Sequence, residues 1–166
     1  MTTRVGLGFD VHPFAADRPL VLGGVVIPDS PGLAGHSDAD AVAHAVADAL
    51  LGAAGLPDLG TLYPASEAVN RDASSVGFLV EIASRLRSDG WSVGNVNVVI
   101  AAETPRLAPH VAAIAAGVAA ALDPVRAAAD AAVPVSVTPK RGEGLGAIGR
   151  AEGIAVWAVA LLERSP

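Results

Sequence analysis

TRVGLGFDVH, residues 3–12, reads as a short β-strand that runs into a glycine-punctuated Asp-x-His. Side chains at i and i+2 of an extended segment point the same way, so Asp10 and His12 converge on one point, as two ligands of a metal ion do. A site needs a third ligand, and the segment HSDADAVAHAVADALLGAAG, residues 36–55, supplies a candidate. It carries a helix-start signal: Ser37 can cap, Asp40 three residues on completes a capping-box-like pattern, and Gly55 is a fitting stop. On that helix positions 40, 44 and 48 stack on one face, giving Asp40, His44 and Asp48. His44 then has a carboxylate one turn away on either side, able to orient its second ring nitrogen. Taken alone, His44 also reads as an ordinary half-buried helix residue. Taken with Asp10 and His12, it completes a set that leaves a zinc ion one open position, the arrangement of catalytic rather than structural sites.

Outward from these two segments the chain alternates strands and helices. PLVLGGVVIP, residues 19–28, reads as a hairpin turning at Gly23-Gly24. A Pro/Gly-punctuated loop, LPDLGTLYPASE (56–67), precedes a second helix from about Ser74 to Gly90. WSVGNVNVVIAA (91–102) alternates like a strand, and PHVAAIAAGVAAAL (109–122) is a third helix. The Ala-rich stretch 112–132 reads as that helix followed by a short helical turn. VPVSV (133–137) and GIAVWAVALLE (153–163) are the last strands, with the glycine-rich KRGEGLGAIGRAEG (140–153) between them. No linker, repeat or second domain is visible, so residues 1–166 read as a single domain.

Composition narrows the chemistry. Hydrophobic residues are 52% and charged residues 17% of the chain, which excludes a disordered protein. Eleven basic against 17 acidic residues give a net charge of −6, which argues against a nucleic-acid or membrane-surface binder. With no cysteine, disulfides, iron–sulfur clusters and thiolate zinc sites are excluded, and any metal must be held by His, Asp or Glu. The N-terminus has no apolar signal core, and the longest apolar run, 111–122, is too short to span a bilayer. The expectation is a soluble, cytoplasmic protein.

Several residues point to phosphate. His36-Ser37 sits just before the first helix, whose N-terminal N–H groups and dipole favour anions, although Ser37 as a simple cap is an equal reading. The few cations gather at Gly and Pro turns: Arg106 in ETPRLAPH, Lys140 and Arg141 in PKRGEG, and Arg150 in IGRAEG. Glu143 within the cationic turn can pair with Lys140 or hold a hard cation such as Mg²⁺. Unaided, the residues lead to a small metal enzyme acting on a phosphorylated substrate.

GFDVHPF, GHSDADAVAHAVADALLGAAGLPDLG, LYP, GNVNVVIAAETPRLAPH and EGLGAIGRAEGIA together resemble the 2-C-methyl-D-erythritol 2,4-cyclodiphosphate synthase family of the non-mevalonate route to isoprenoids. The resemblance covers nearly the whole chain in the right order. It implies an α+β fold, a mixed sheet with helices packed on one face, assembled as a homotrimer with active sites between subunits. It implies cyclisation of a CDP-linked methylerythritol 2-phosphate, with CMP leaving. By the same resemblance Asp10, His12 and His44 match the ligands of one zinc per subunit, and Glu143 a ligand of Mg²⁺ or Mn²⁺ on the diphosphate. His36, beside Ser37, matches the residue facing the reacting phosphate. Asp58, Gly60 and the loop from Tyr63 to Glu67 match the methylerythritol pocket. Ala102, Arg106, Leu107 and Ala108 match the cytidine pocket, and Arg150 a phosphate-facing arginine near the trimer axis.

Phosphoryl transfer needs positioning and charge neutralisation more than covalent help, and an anionic nucleophile needs no general base, in keeping with the absence of a Ser-His-Asp pattern. Three departures from the family pattern stand out. Lys140-Arg141-Gly142 replaces a threonine-rich run, and Arg141 is expected to take over stabilisation of the transferring phosphoryl group. Ala147 stands where an aromatic residue often follows LG, and Ala151 where glycine is usual. At this stage a metal-dependent hydrolase of a related nucleotide and a non-catalytic isoprenoid-diphosphate-binding trimer also stay open.

Overall fold

Glycines 6 and 8 set how the layers meet. In the computed structural model, which describes residues 1–67, 73–127 and 131–165, the first strand β1 (Thr2–Leu22) turns Gly6, Gly8, Asp10 and His12 to one side. A Cβ at Gly6 would lie 1.9 Å from the carbonyl oxygen of Ala49, and one at Gly8 1.9 Å from that of Ala45. Only residues without a side chain let the helix α1 (Ala41–Ala54) lie directly on the strand. Stepping from Gly6 to Gly8 moves the contact from Ala49 and Ala53 back to Ala45 and Ala49, so Asp10 next meets the first turn of α1, where His44 stands.

The other strands are β2 (Val25–Leu33), β3 (Ser92–Ala101), β4 (Val135–Lys140) and β5 (Gly153–Arg164). They form one sheet in the order β2-β1-β5-β3-β4, antiparallel except for the β3–β4 pair, so the expected mixed sheet is present. Besides α1, the helices are α2 (Leu59–Leu62), α3 (Ser75–Ser88), α4 (Val111–Ala121) and α5 (Gly146–Gly149). The core lies between the sheet and α1, α3 and α4, where Leu50, Leu51, Leu79, Ile82, Ile114, Ile154 and Val156 are fully or almost fully buried. The opposite face of β1 and β5 is apolar yet uncovered: Val5, Leu7, Phe9, Val11, Trp157 and Val159 are 40–66% exposed.

Several expectations are refined. The first strand is 21 residues long rather than short, because it continues through an irregular stretch into the hairpin, which does turn at Gly23-Gly24. Ser37 does not cap α1. Asp40 does, accepting from the N–H groups of Val42 and Ala43, and Gly55 ends the helix in the left-handed region at φ 74°. The second helix, capped by Ser74, falls within its expected span. The Ala-rich stretch forms α4 and a 3-10 turn at Asp123–Val125, while its residues 128–130 lie outside the described residues. Ala151 has φ 57°, a left-handed conformation in which glycine is unstrained. Among the described residues, no helix is long and apolar enough to cross a membrane.

Candidate active site

Strand β1 and the first turn of α1 bring the three expected ligands together. One oxygen of Asp10 lies 2.9 Å from Nε2 of His12 and 3.0 Å from Nδ1 of His44, and the three donor atoms fall within 4.8 Å of one another. Both rings have their outer nitrogens occupied. Nδ1 of His12 is 2.7 Å from the carbonyl oxygen of Ala34, which can only accept, so Nδ1 carries the proton. Nε2 of His44 is 2.8 Å from Oγ of Ser75, whose own proton goes to the Asp38 carboxylate. Ser75 must therefore accept from His44. Each neutral ring is left with a lone pair aimed at the Asp10 carboxylate.

Three converging lone pairs are satisfied only by a proton or a cation between them. An N,N,O donor set with both histidine tautomers fixed from behind fits a divalent metal such as zinc. Where protons rather than a metal fill the gap, burial works against ionisation of Asp10, but hydrogen bonds and charge from the His12 and His44 rings outweigh it and hold its pKa at about 2. His12 is raised, chiefly through its bond to Asp10 and against the effect of burial.

The residues around this centre enclose a cavity of about 310 Å³, lined by His36, Ser37, Asp48, Gly60, Tyr63 and Phe78 among others. Here the structure corrects two expectations. Neither Asp40 nor Asp48 orients His44. Asp40 is wholly buried, accepting from four backbone N–H groups, those of Gly23, Gly24, Val42 and Ala43. Burial pushes its pKa up, with those backbone bonds acting the other way. The start of α1 is consequently filled by the protein's own carboxylate and offers no anion site. Asp48 accepts from Leu59 N–H at 2.8 Å and so ties α2 to α1. Asp58 caps α2 beside Gly60, Tyr63 stacks on Phe78 with ring centroids 4.3 Å apart, and Glu67 is exposed at the end of that segment.

The remaining expected residues gather elsewhere. Ala102, Arg106, Leu107, Ala108, Lys140 and Arg141 line a second cavity of about 570 Å³, together with Glu103. The carboxylate of Glu103 pairs with Arg141 and accepts from Gly142 N–H at 3.1 Å, which holds its pKa below the usual range. Among the described residues no ion pair joins Lys140 to Glu143; Glu103 instead organises the cationic turn. Glu143 stands exposed at φ 50°, Ala147 is exposed on α5, and Arg150 pairs with Glu152 at 2.6 Å. The two cavities share no lining residue, although both lie toward one end of the sheet, where Val11 pairs with Ala155 and Ala155 with Ala101.

Sequence reasoning missed Ser75, Asp38 and Glu103. A serine opening a helix and an acid in the HSDAD run are the only local signs of the first two; Glu103 gave none beyond its place in ETPR.

A family model described as the YgbB family matches residues 3–163. The chain is 46% identical over 162 residues to the 2-C-methyl-D-erythritol 2,4-cyclodiphosphate synthase of Bordetella petrii, covering 98% of this chain and 96% of that one. Among solved structures it is similar to the bifunctional IspDF of Campylobacter jejuni, with a TM-score of 0.88 and 37% identity. That match covers 99% of this chain but 43% of the bifunctional one, so the present chain corresponds to less than half of it. It is also similar to IspF of Plasmodium falciparum, a CDP complex, with a TM-score of 0.81, 29% identity, and coverage of 99% and 97%.

Proposed function

This chain belongs to the YgbB family of 2-C-methyl-D-erythritol 2,4-cyclodiphosphate synthases, and from that premise we propose how its residues divide the work. It is a lyase of the non-mevalonate isoprenoid route, converting 4-CDP-2-C-methyl-D-erythritol 2-phosphate to the 2,4-cyclodiphosphate and CMP. An oxygen of the 2-phosphate attacks the β-phosphorus, the bond from that phosphorus to the bridging oxygen breaks, and CMP leaves with the electron pair.

The observation that carries the assignment of roles is the convergence of Asp10, His12 and His44 beside His36 and Ser37. Zinc held by Asp10, His12 and His44, and Mg²⁺ or Mn²⁺ held with Glu143, would supply Lewis acidity and charge neutralisation. His36 and Ser37 face the reacting phosphate and restrict its approach to the β-phosphorus. Asp58, Gly60 and the Tyr63–Glu67 segment hold the methylerythritol hydroxyls. Ala102, Arg106, Leu107 and Ala108 hold the nucleoside, and Lys140, Arg141 and Gly142 hold the diphosphate. Ala147 and Arg150 lie toward the subunit interface. Displacement of water by the bound substrate favours the internal phosphate oxygen over hydrolysis.

The functional unit is a homotrimer with each site shared between neighbours. Two features support this: the uncovered apolar face of β1 and β5, a contiguous patch of the kind that marks a protein–protein contact, and the division of the expected site residues between two separate cavities. The decisive assay is incubation of the purified protein with the CDP-linked 2-phosphate, Zn²⁺ and Mg²⁺. CMP with cyclodiphosphate is expected. CMP with an uncyclised bisphosphate would make the protein a hydrolase and overturn the assignment.

A further inference from the structure

The turn 34–38 is a wall one residue thick. Gly35 lines the metal-centre cavity on one side and, on the other, a cavity of about 550 Å³ that also touches Arg18 and Asp38. The ends of the turn are fastened by backbone bonds, Ala34 N–H to Pro13 and Asp38 N–H to Ala73. Its middle is fastened differently. The guanidinium of Arg18 donates to the Gly35 carbonyl at 2.7 Å and to the Ser37 carbonyl, and among the described hydrogen bonds neither oxygen has another donor. The two carbonyls bracket His36.

The fold makes room for this contact. Between Ala15 and Pro19 the β1–β2 register slips, so that residues 16–18 of β1 have no opposite partners, and a bulge of this kind re-aims a side chain. Opposite it, a Cβ at Gly32 would lie 2.8 Å from Cγ of Arg18 and 2.4 Å from its carbonyl oxygen, so glycine leaves space for the arginine stem. The pinned turn also carries an outer contact of each histidine: the Ala34 carbonyl on His12, and Ser37 Oγ, 3.2 Å from His44 Nε2 and farther than the Ser75 Oγ that accepts from it.

We infer that Arg18 is a positioning residue: its planar fork fixes the Gly35–His36 and Ser37–Asp38 peptides, which flank the His36-Ser37 pair, and so holds His36 and Ser37 at the reacting phosphate. This rests on the reading of His36 and Ser37 given above. The guanidinium suits the task because one rigid group reaches two carbonyls, which a lysine ammonium on a flexible stem does less well.

Arg18→Ala and Arg18→Lys in the full-length, zinc-loaded protein test it. Arg18→Ala is expected to lower kcat by about ten- to a hundredfold, the scale of an ångström-level misplacement, with a much smaller change in KM. Arg18→Lys should recover part of that loss. Without substrate, amide hydrogen exchange of the 34–38 segment should accelerate in Arg18→Ala while α4 stays protected. Zinc should also be stripped by a chelator about tenfold more readily, since the Ala34 support of His12 loosens. Wild-type kcat with unchanged exchange at 34–38 would overturn the inference, and so would exchange accelerated equally throughout the molecule. His36→Ala with wild-type turnover would instead remove the reading of His36, leaving the exchange result for Arg18 intact.

Discussion

The His44 ring is held at both ends, by Ser75 at Nε2 and opposite Asp10 at Nδ1, so the two ends can be tested separately. His44→Ala removes a proposed ligand and should lose both zinc and turnover, read by metal analysis after stripping and reloading; full zinc occupancy would sink the ligand set. Ser75→Ala leaves all three ligands in place but frees the ring to change tautomer. Zinc affinity should then drop by about ten- to a hundredfold in chelator competition, the usual loss for an outer hydrogen-bond partner, and unchanged affinity would show that Ser75 merely packs. Arg141 presents a different balance. A dedicated transition-state donor is worth about two to three orders of magnitude in kcat. Its pairing with Glu103 spends part of the guanidinium's charge and donors. Arg141→Ala is therefore expected to lower kcat by about tenfold, below that full value, with Arg141→Thr partly restoring it. Turnover at the wild-type rate would make Arg141 a neutral loop residue.

At the scale of elements, the decisive contact is α1 lying on β1. Gly8 sits two residues before Asp10, and the atom a Cβ would strike is the Ala45 backbone, which cannot rotate away. Gly8→Ala should thus cost about 3 kcal/mol or more, at or past the upper end of ordinary overpacking, measured by urea unfolding. It should also lower zinc affinity, because α1 is levered off the strand and His44 moves away from Asp10. A variant of wild-type stability and zinc affinity would mean that the two layers have slack the structure does not suggest.

For the whole molecule, the question is what covers the apolar side of β1 and β5. Phe9 and Trp157 stand opposite each other there with ring centroids 5.2 Å apart, both well exposed in the single chain. In the proposed trimer this face would be buried, and a charge placed on it would be left without water or partner. Light scattering should show three chains for the wild type. Trp157→Glu should shift the population to monomers that keep zinc but lose turnover, since the proposed metal centre lies on the helix side and, on the shared-site reading proposed above, no neighbour would then supply the nucleoside cavity. A monomer that is fully active would refute the shared site.

What could be read without coordinates was local. Alternation along residues 3–12 placed Asp10 and His12 on one side, because a strand's two-residue period is a property of the backbone alone. Gly23-Gly24 and Gly55 marked their turn and stop for the same reason: left-handed φ values favour glycine wherever they occur. Helical spacing added His44 to Asp10 and His12, and the resemblance to a known family then supplied the substrate and the remaining site residues. The docking of one element on another decided the rest. Asp40, rather than Ser37, caps α1 because the β1–β2 turn folds over the helix start and its two N–H groups need the same carboxylate. Ser75 supports His44 from 31 residues away, Glu103 holds Arg141 from 38 away, and Arg18 reaches the 34–38 turn through a slipped register. No periodicity encodes such distances. They follow from how closely two surfaces approach, which here depends on glycines whose missing side chains matter only when the opposite backbone arrives.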